Sequence, residues 1–127
     1  MTLKLSSPAA ADVRKAEFFR ALGHPARIRV LQLLRGGELT VRALQSELGL
    51  DSGGVSQHLA ALRKQGLVAG RRAGTSVHYR LKDPRALELL EAARGILMAE
   101  LQESQAVLDE LADEGRGAPP PRPGTAS

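Results

Sequence analysis

The chain has 127 residues, of which 43% are hydrophobic, 2% are aromatic and none is cysteine. That length suits one domain with a packed core. The missing thiols exclude disulfides, zinc–thiolate centres and thiol redox sensing, and so few rings argue against stacking on single-stranded nucleic acid.

The formal charge of +4 conceals an asymmetry: residues 1–82 hold 14 Lys/Arg against 5 Asp/Glu, and residues 83–127 hold 4 against 9. The basic part points to a polyanion, and the acidic part should lie away from it. No apolar run approaches the ~18–20 residues of a membrane span. The opening MTLKLSSPAAADVRK lacks the longer apolar core of a signal peptide. A cytoplasmic protein without a membrane partner is expected.

In chain order, residues 1–8 are expected to form a flexible arm. A first helix is predicted from about Ala9 to Leu22, with Val13, Ala16, Phe18 or Phe19, and Leu22 on its apolar side. Gly23-His24 breaks it. Pro25 suits the first turn of the next helix, where its missing N–H costs nothing. That helix, Ala26 to Arg35, packs Ile28, Leu31 and Leu34, with Val30 and Leu33 beside them, and carries Arg27, Arg29 and Arg35 on its outer face. Gly36-Gly37 ends it, and Glu38-Leu39 form a short extended link.

Residues 40–65, TVRALQSELGLDSGGVSQHLAALRKQ, are two short helices around a tight turn. Leu44 and Leu48 give the first an apolar face; Val55, Leu59 and Leu62, at i, i+4 and i+7, do the same for the second. Thr40 can cap the first, and Asp51 or Ser52 the second, by accepting bonds from free backbone N–H groups. Gly49 stands where a helix end needs a left-handed residue. This is a helix-turn-helix, whose second helix can enter the DNA major groove. At about 100° per residue, the stripe opposite its core face is Gly53, Gln57, Ala60 and Lys64. A ridge that poor in side chains can lie deep in a groove, leaving Gln57 to offer its amide to a base edge, most naturally adenine, with Ser52 and Ser56 on the flank. Two glycines near a helix start cost about 1 kcal/mol each relative to alanine. Either the helix starts late, near Val55, or the backbone at Gly53-Gly54 approaches DNA.

Gly66 stops this helix, and Leu67 and Val68 enter the core. Val77, Tyr79 and Leu81 alternate with Ser76, His78 and Arg80, the period of a strand, and Ala73-Gly74-Thr75 is a turn. A basic hairpin directly after a helix-turn-helix makes a winged helix, and its tip, Arg71 to Ser76, can track phosphates or the minor groove. Tyr79 is expected to pack in the core or at a dimer contact. Asp83 caps and Pro84 starts a long helix to about Asp113. Along it Leu87, Leu90, Leu97, Leu101, Leu108 and Leu111 recur at three and four, interrupted by Arg94 and Ser104. At 1.5 Å per residue it is roughly 40 Å long, more than a small winged domain covers. Part of its apolar face should therefore bury against a second copy, with the first helix joining in. The expected dimer contacts are Val13, Phe19, Leu90, Leu97, Leu101 and Leu108. Residues 9–113 thus form the DNA-binding and dimerisation domain, mainly α with a small β-hairpin, and residues 114–127 a disordered Pro/Gly-rich tail.

Taken together, ALGHPxRIxxL followed by VSQHLxxLRxxGLVxxRRxGxxxxYxL resembles the ArsR/SmtB family of bacterial winged-helix repressors over about residues 12–112. The resemblance implies a homodimer that binds a palindromic operator in double-stranded DNA and is released by an inducer, often a metal. It maps DNA contacts onto Ser52, Ser56, Gln57 and His58 of the recognition helix and onto Arg72 and Thr75 of the wing, and a phosphate contact onto Arg42. With the stripe and wing read above, the candidate DNA-binding set adds Gly53, Lys64 and Arg71.

Two departures bear on the inducer. Where metal-sensing members often carry Cys-x-Cys, this chain has Leu44-Gln45-Ser46-Glu47-Leu48. Its long last helix offers Glu88, Glu91, Glu100 and Glu103 but no histidine. A zinc or nickel site needs nitrogen or sulfur donors at close spacing, and His24, His58 and His78 fall on three elements. No metal site and no cofactor is assigned, and an unidentified small-molecule inducer stays open. The alternative reading is a winged-helix protein-interaction module without specific DNA binding. The sequence shows no nucleophile elbow, P-loop or paired catalytic carboxylates, so an enzyme is not expected.

Overall fold

The computed structural model describes residues 9–116. Its elements, in order, are α1 (Ala10–Leu22), α2 (Pro25–Leu33) with a 3-10 turn (Leu34–Gly36), β1 (Leu39–Thr40), α3 (Val41–Leu48), α4 (Ser52–Lys64), β2 (Val68–Ala73), β3 (Ser76–Leu81) and α5 (Arg85–Arg116). The expected arm, residues 1–8, and the tail beyond residue 116 lie outside the described residues. Residues 114–116, assigned above to the tail, continue α5.

Local chemistry sets most of the boundaries. His24 caps α2, its Nδ1 accepting the Ala26 N–H at 3.1 Å, with Pro25 in the first turn. The second helix tightens into a 3-10 turn after Leu33 instead of running on to Arg35. Thr40 Oγ1 accepts the Ala43 N–H at 3.0 Å at the start of α3, and Gly49 ends that helix in the left-handed region at φ +68°. Asp51 is the cap of α4, accepting the Gly54 N–H at 2.7 Å. The helix therefore starts at Ser52, not near Val55: one charged acceptor satisfies the free N–H of Gly54 and carries both glycines inside.

The extended link, expected at Glu38-Leu39, falls at Leu39–Thr40 as β1. It pairs antiparallel with Tyr79 and His78, so the hairpin becomes a three-stranded sheet in the order β1-β3-β2. In β2–β3, Ala73 pairs with Ser76 and Val68 with Leu81, leaving the two-residue tip Gly74-Thr75. Opposite Tyr79 stands Gly70, and a Cβ there would lie 2.8 Å from the phenol ring. Glycine is what lets the ring lie across the strand. Tyr79 is buried, and its Oη accepts a hydrogen bond from Arg63 Nη1 at 2.8 Å, which ties the last turn of α4 to the sheet.

The chain divides into two units after Leu89. In the first, α1 packs on α2 and α4, α2 on α3, and α4 on α3 and β2. Val30, Leu31, Leu44, Val55 and Leu62 have no exposed surface, and Leu34, Leu59 and Val68 have almost none. Val30 occupies the centre of the α2 face, and Ile28, expected there, is half-buried. The second unit, from Leu90, is described as helix to Arg116. Its side chains from Glu91 to Ala112 are exposed.

Candidate nucleic-acid interface

Because Val55, Leu59 and Leu62 point into the core, helical geometry turns Gly53, Gln57, Ala60 and Lys64 to the opposite side, and all four are exposed. Ser52 and Ser56, on the flank, are exposed too. The two glycines differ. A Cβ on Gly54 would sit 3.2 Å from the capping carboxylate of Asp51 and 3.6 Å from the Leu50 side chain, so the cap itself occupies that space. A Cβ on Gly53 would make only an ordinary 3.7 Å contact. Nothing in the fold requires glycine at 53, and its bareness faces outward.

The wing places Arg72, Thr75 and Ser76 in the open. Thr75 and Ser76 share a groove of about 410 Å³ with Thr40, Val41, Arg42 and Val77. Arg42, 33 positions before Thr75 in the chain, is thereby brought to the same surface, where the first free N–H groups of α3 also lie. Two residues expected to touch DNA are differently engaged. Arg71 is bound bidentately by Glu38, Nε to Oε2 at 2.9 Å and Nη2 to Oε1 at 2.7 Å, and His78 Nδ1 lies 3.7 Å from the same carboxylate. The Arg71 guanidinium holds the Glu38 carboxyl below its usual range. His58 is half-buried: its Nδ1 accepts a hydrogen bond from Arg27 Nε at 3.1 Å and its ring lies 4.4 Å from that of His24. Burial, then the charges of His24 and Arg27, push the His58 pKa down. The structure thus sets His58 against α2, beside the buried stripe of α4, and apart from the outward ridge. Arg27 is correspondingly not on an outer face but half-buried against His58.

The Glu38–Arg71 pair and the Arg63–Tyr79 bond are absent from the sequence reading. Glu38 had a signal, being the sole acidic residue between Glu17 and Glu47. The Arg63–Tyr79 contact spans 16 positions and joins a helix to a strand, with no periodicity to announce it.

Of the expected dimer contacts, Val13 and Phe19 on α1 are 40% and 56% exposed. In the second unit Leu97, Leu101 and Leu108 are exposed at 60%, 65% and 59%, while Leu90 is half-buried. Among the described residues no three His, Asp or Glu side chains are grouped to hold a metal ion, and no helix is long and apolar enough to cross a membrane.

Comparison with known proteins bears on this surface. Residues 24–69 match the family model described as "Bacterial regulatory protein, arsR family". The chain is 46% identical over 98 residues to the uncharacterized HTH-type transcriptional regulator Rv0081 of Mycobacterium tuberculosis, covering 76% of this chain and 86% of that protein. The crystal structure of Rv0081 matches with a TM-score of 0.71 at 42% identity, over 76% of this chain and 98% of that one. The biofilm growth-associated repressor of Xylella fastidiosa is 35% identical over 91 residues, 72% of this chain and 78% of the repressor. The solution structure of the homodimeric winged helix-turn-helix DNA-binding domain of Mb0332 from Mycobacterium bovis matches with a TM-score of 0.67 at 29% identity, over 81% of this chain and 95% of that one.

Proposed function

Because the chain belongs to the ArsR family of bacterial helix-turn-helix transcriptional regulators, we propose that it is a cytoplasmic, non-enzymatic repressor. It binds a palindromic operator in double-stranded DNA as a homodimer and leaves it in response to a signal. The observation that carries this reading is the exposed, side-chain-poor ridge Gly53-Gln57-Ala60-Lys64. It is narrow enough to seat in a major groove and ends in a cation. Gln57 hydrogen-bonds a base edge, adenine by preference. Ser52 and Ser56 contact base or phosphate beside it. Arg42, Arg72 and Thr75 hold the backbone on one side, and Lys64 adds charge at the end of α4. Two copies related by a two-fold axis set their recognition helices in successive major grooves about 34–36 Å apart. By similarity, the homodimeric Mb0332 domain supports this assembly, and the repressor of Xylella fastidiosa supports repression.

The test is a mobility-shift titration on a duplex selected from random DNA by the wild-type protein. Gln57→Ala lowers the preference for the selected site by about 1–3 kcal/mol and leaves binding to random DNA intact. Arg72→Ala weakens binding to every sequence and lowers the slope of log K against log salt by about 1. If both variants bind selected and random DNA as the wild type does, the interface is wrongly placed.

A further inference from the structure

A helix seated in a major groove has a wall of phosphates on each side, since the groove is about 12 Å wide and a helix with its side chains about 10–12 Å across. The wing side of α4 is marked by Arg63, which bonds Tyr79 of the sheet. At about 100° per residue, Ser52, Ser56 and Arg63 lie on that flank of the ridge, and Ala61 and Gln65 on the other. The second flank borders α1 and α2 across a groove of about 230 Å³.

Three cations line this groove: Arg20 of α1, Arg27 of α2 and Lys64 of α4. Arg20 and Lys64 are exposed, and among the described residues neither has an ion-pair partner. Arg27 uses its Nε on His58 Nδ1, and that bond leaves both Nη groups over. One carboxylate lines the same groove, that of Glu17, and its Oε1 is held by Arg14 Nη1 at 2.8 Å. The groove is also lined by Ala21 and Ala61, whose methyl groups are too short to fill it. Like charges gathered round one recess repel each other. A singly charged anion with two free oxygens relieves that repulsion and accepts from several donors at once, and a phosphodiester is such an anion. Lys64 belongs both to this groove and to the outward ridge, so the recess is continuous with the surface that carries Gln57.

We propose that Arg20, Arg27 and Lys64 form a second phosphate clamp, which holds the DNA strand on the side of α4 opposite the wing. This deepens the DNA-binding function proposed above and rests on it. The Arg20 guanidinium donates to phosphate oxygens, Lys64 adds a point charge, and Arg27 adds its own while His58 keeps it in place. A clamp on one flank alone leaves α4 free to roll about its axis. Clamps on both flanks fix the roll and hold Gln57 toward one base edge.

Arg20 is the residue to change, because it is exposed and, unlike Arg27, makes no hydrogen bond between helices. Full-length Arg20→Gln should keep the wild-type urea midpoint. It should bind the selected and random duplexes more weakly, with the slope of log K against log salt lowered by about 1. Arg20→Lys, which keeps the charge, should restore the slope. The position of the contact is read by replacing single phosphates of the selected duplex with neutral methylphosphonates. The wild type should be sensitive on both DNA strands beside the recognition helix. Arg20→Gln should lose sensitivity on the strand away from the wing and keep it on the wing side, where Arg72→Ala loses it. If the wild type binds the selected duplex but no phosphate on the far strand matters, or if Arg20→Gln stays sensitive there, the second clamp is wrong and the repressor reading stands. The same holds if calorimetry shows Arg20-dependent binding of inorganic phosphate while Arg20→Gln binds duplex as the wild type does, since the groove then serves a free anion. A wild type that selects no duplex overturns both.

Discussion

Leu62 and Leu101 are the same residue on the apolar side of a helix, yet one is fully buried and the other is 65% exposed. The contrast extends to the two units they belong to. Up to Leu89, helices and a sheet converge on the apolar stripes from several sides, and Val30, Leu31, Leu44 and Val55 lose all contact with water. From Leu90 to Arg116 the described residues form one helix, and a helix alone has no interior. The same periodic code therefore specifies folding in one place and, in the homodimer proposed above, association in the other. The hydrophobic drive is identical per unit of area; what differs is whether the surface that completes it belongs to the same chain.

The sharpest way to break this contrast is to cut the two leucines back equally. Leu62→Ala should lower the stability of the first unit by about 2–5 kcal/mol, because the buried site is left as a cavity, and urea denaturation would show it. The dimer dissociation constant should stay near that of the wild type. Leu101→Ala should do the reverse, weakening association by about tenfold or more in sedimentation equilibrium with a smaller shift in the denaturation midpoint. Equal effects of both changes on dissociation would remove the distinction between the units.

Charge draws a second contrast. The first unit carries the cations proposed to face DNA, yet Arg71, in the middle of the wing strand, is held by Glu38. That ion pair is exposed and adds little to the fold; its larger consequence is electrostatic, since a neutralised arginine displaces fewer counterions. Glu38→Gln should free Arg71 for phosphate. Binding to all duplex sequences should tighten at low salt, and the salt slope should steepen by about 1. An unchanged slope would mean that Arg71 does not reach the backbone in the complex.

How much of this was legible in the sequence depended on the range of the interaction. Thr40, Gly49 and Asp51 act on N–H groups or torsions within three residues, so both ends of α3 could be read nearly to the residue, while the start of α4 stayed open between Ser52 and Val55. The stripe Val55, Leu59, Leu62 fixed which side of α4 faces outward, and with it the exposure of Gly53, Gln57 and Lys64. The pairing of Leu39 and Thr40 with β3 was not visible, because a two-residue strand has no periodicity. Arg27, expected on an outer face, is half-buried, and Arg71 is exposed but ion-paired; one reason is shared. Each sits where spacing predicts exposure, but each found a partner more than 30 positions away, His58 and Glu38, through tertiary contacts that no local pattern encodes.

The smallest expected effect concerns the seat of α4 on α2. His58 accepts its hydrogen bond from Arg27 through Nδ1, so it must be unprotonated there, and burial and the neighbouring His24 and Arg27 lower its pKa from the ordinary 6.5. A histidine whose folded-state pKa is depressed takes up its proton more readily in the unfolded chain. Its contribution is fully present above about pH 6.5 and declines as pH falls toward the lower folded-state value. The stability of the first unit, followed by urea midpoints from pH 7.5 to pH 5, should therefore fall on acidification. His58→Gln, whose amide oxygen can still accept from Arg27 but does not titrate in this range, should fall less. If the two profiles run parallel, the proton is taken up elsewhere and the Arg27–His58 contact does not depend on a neutral imidazole.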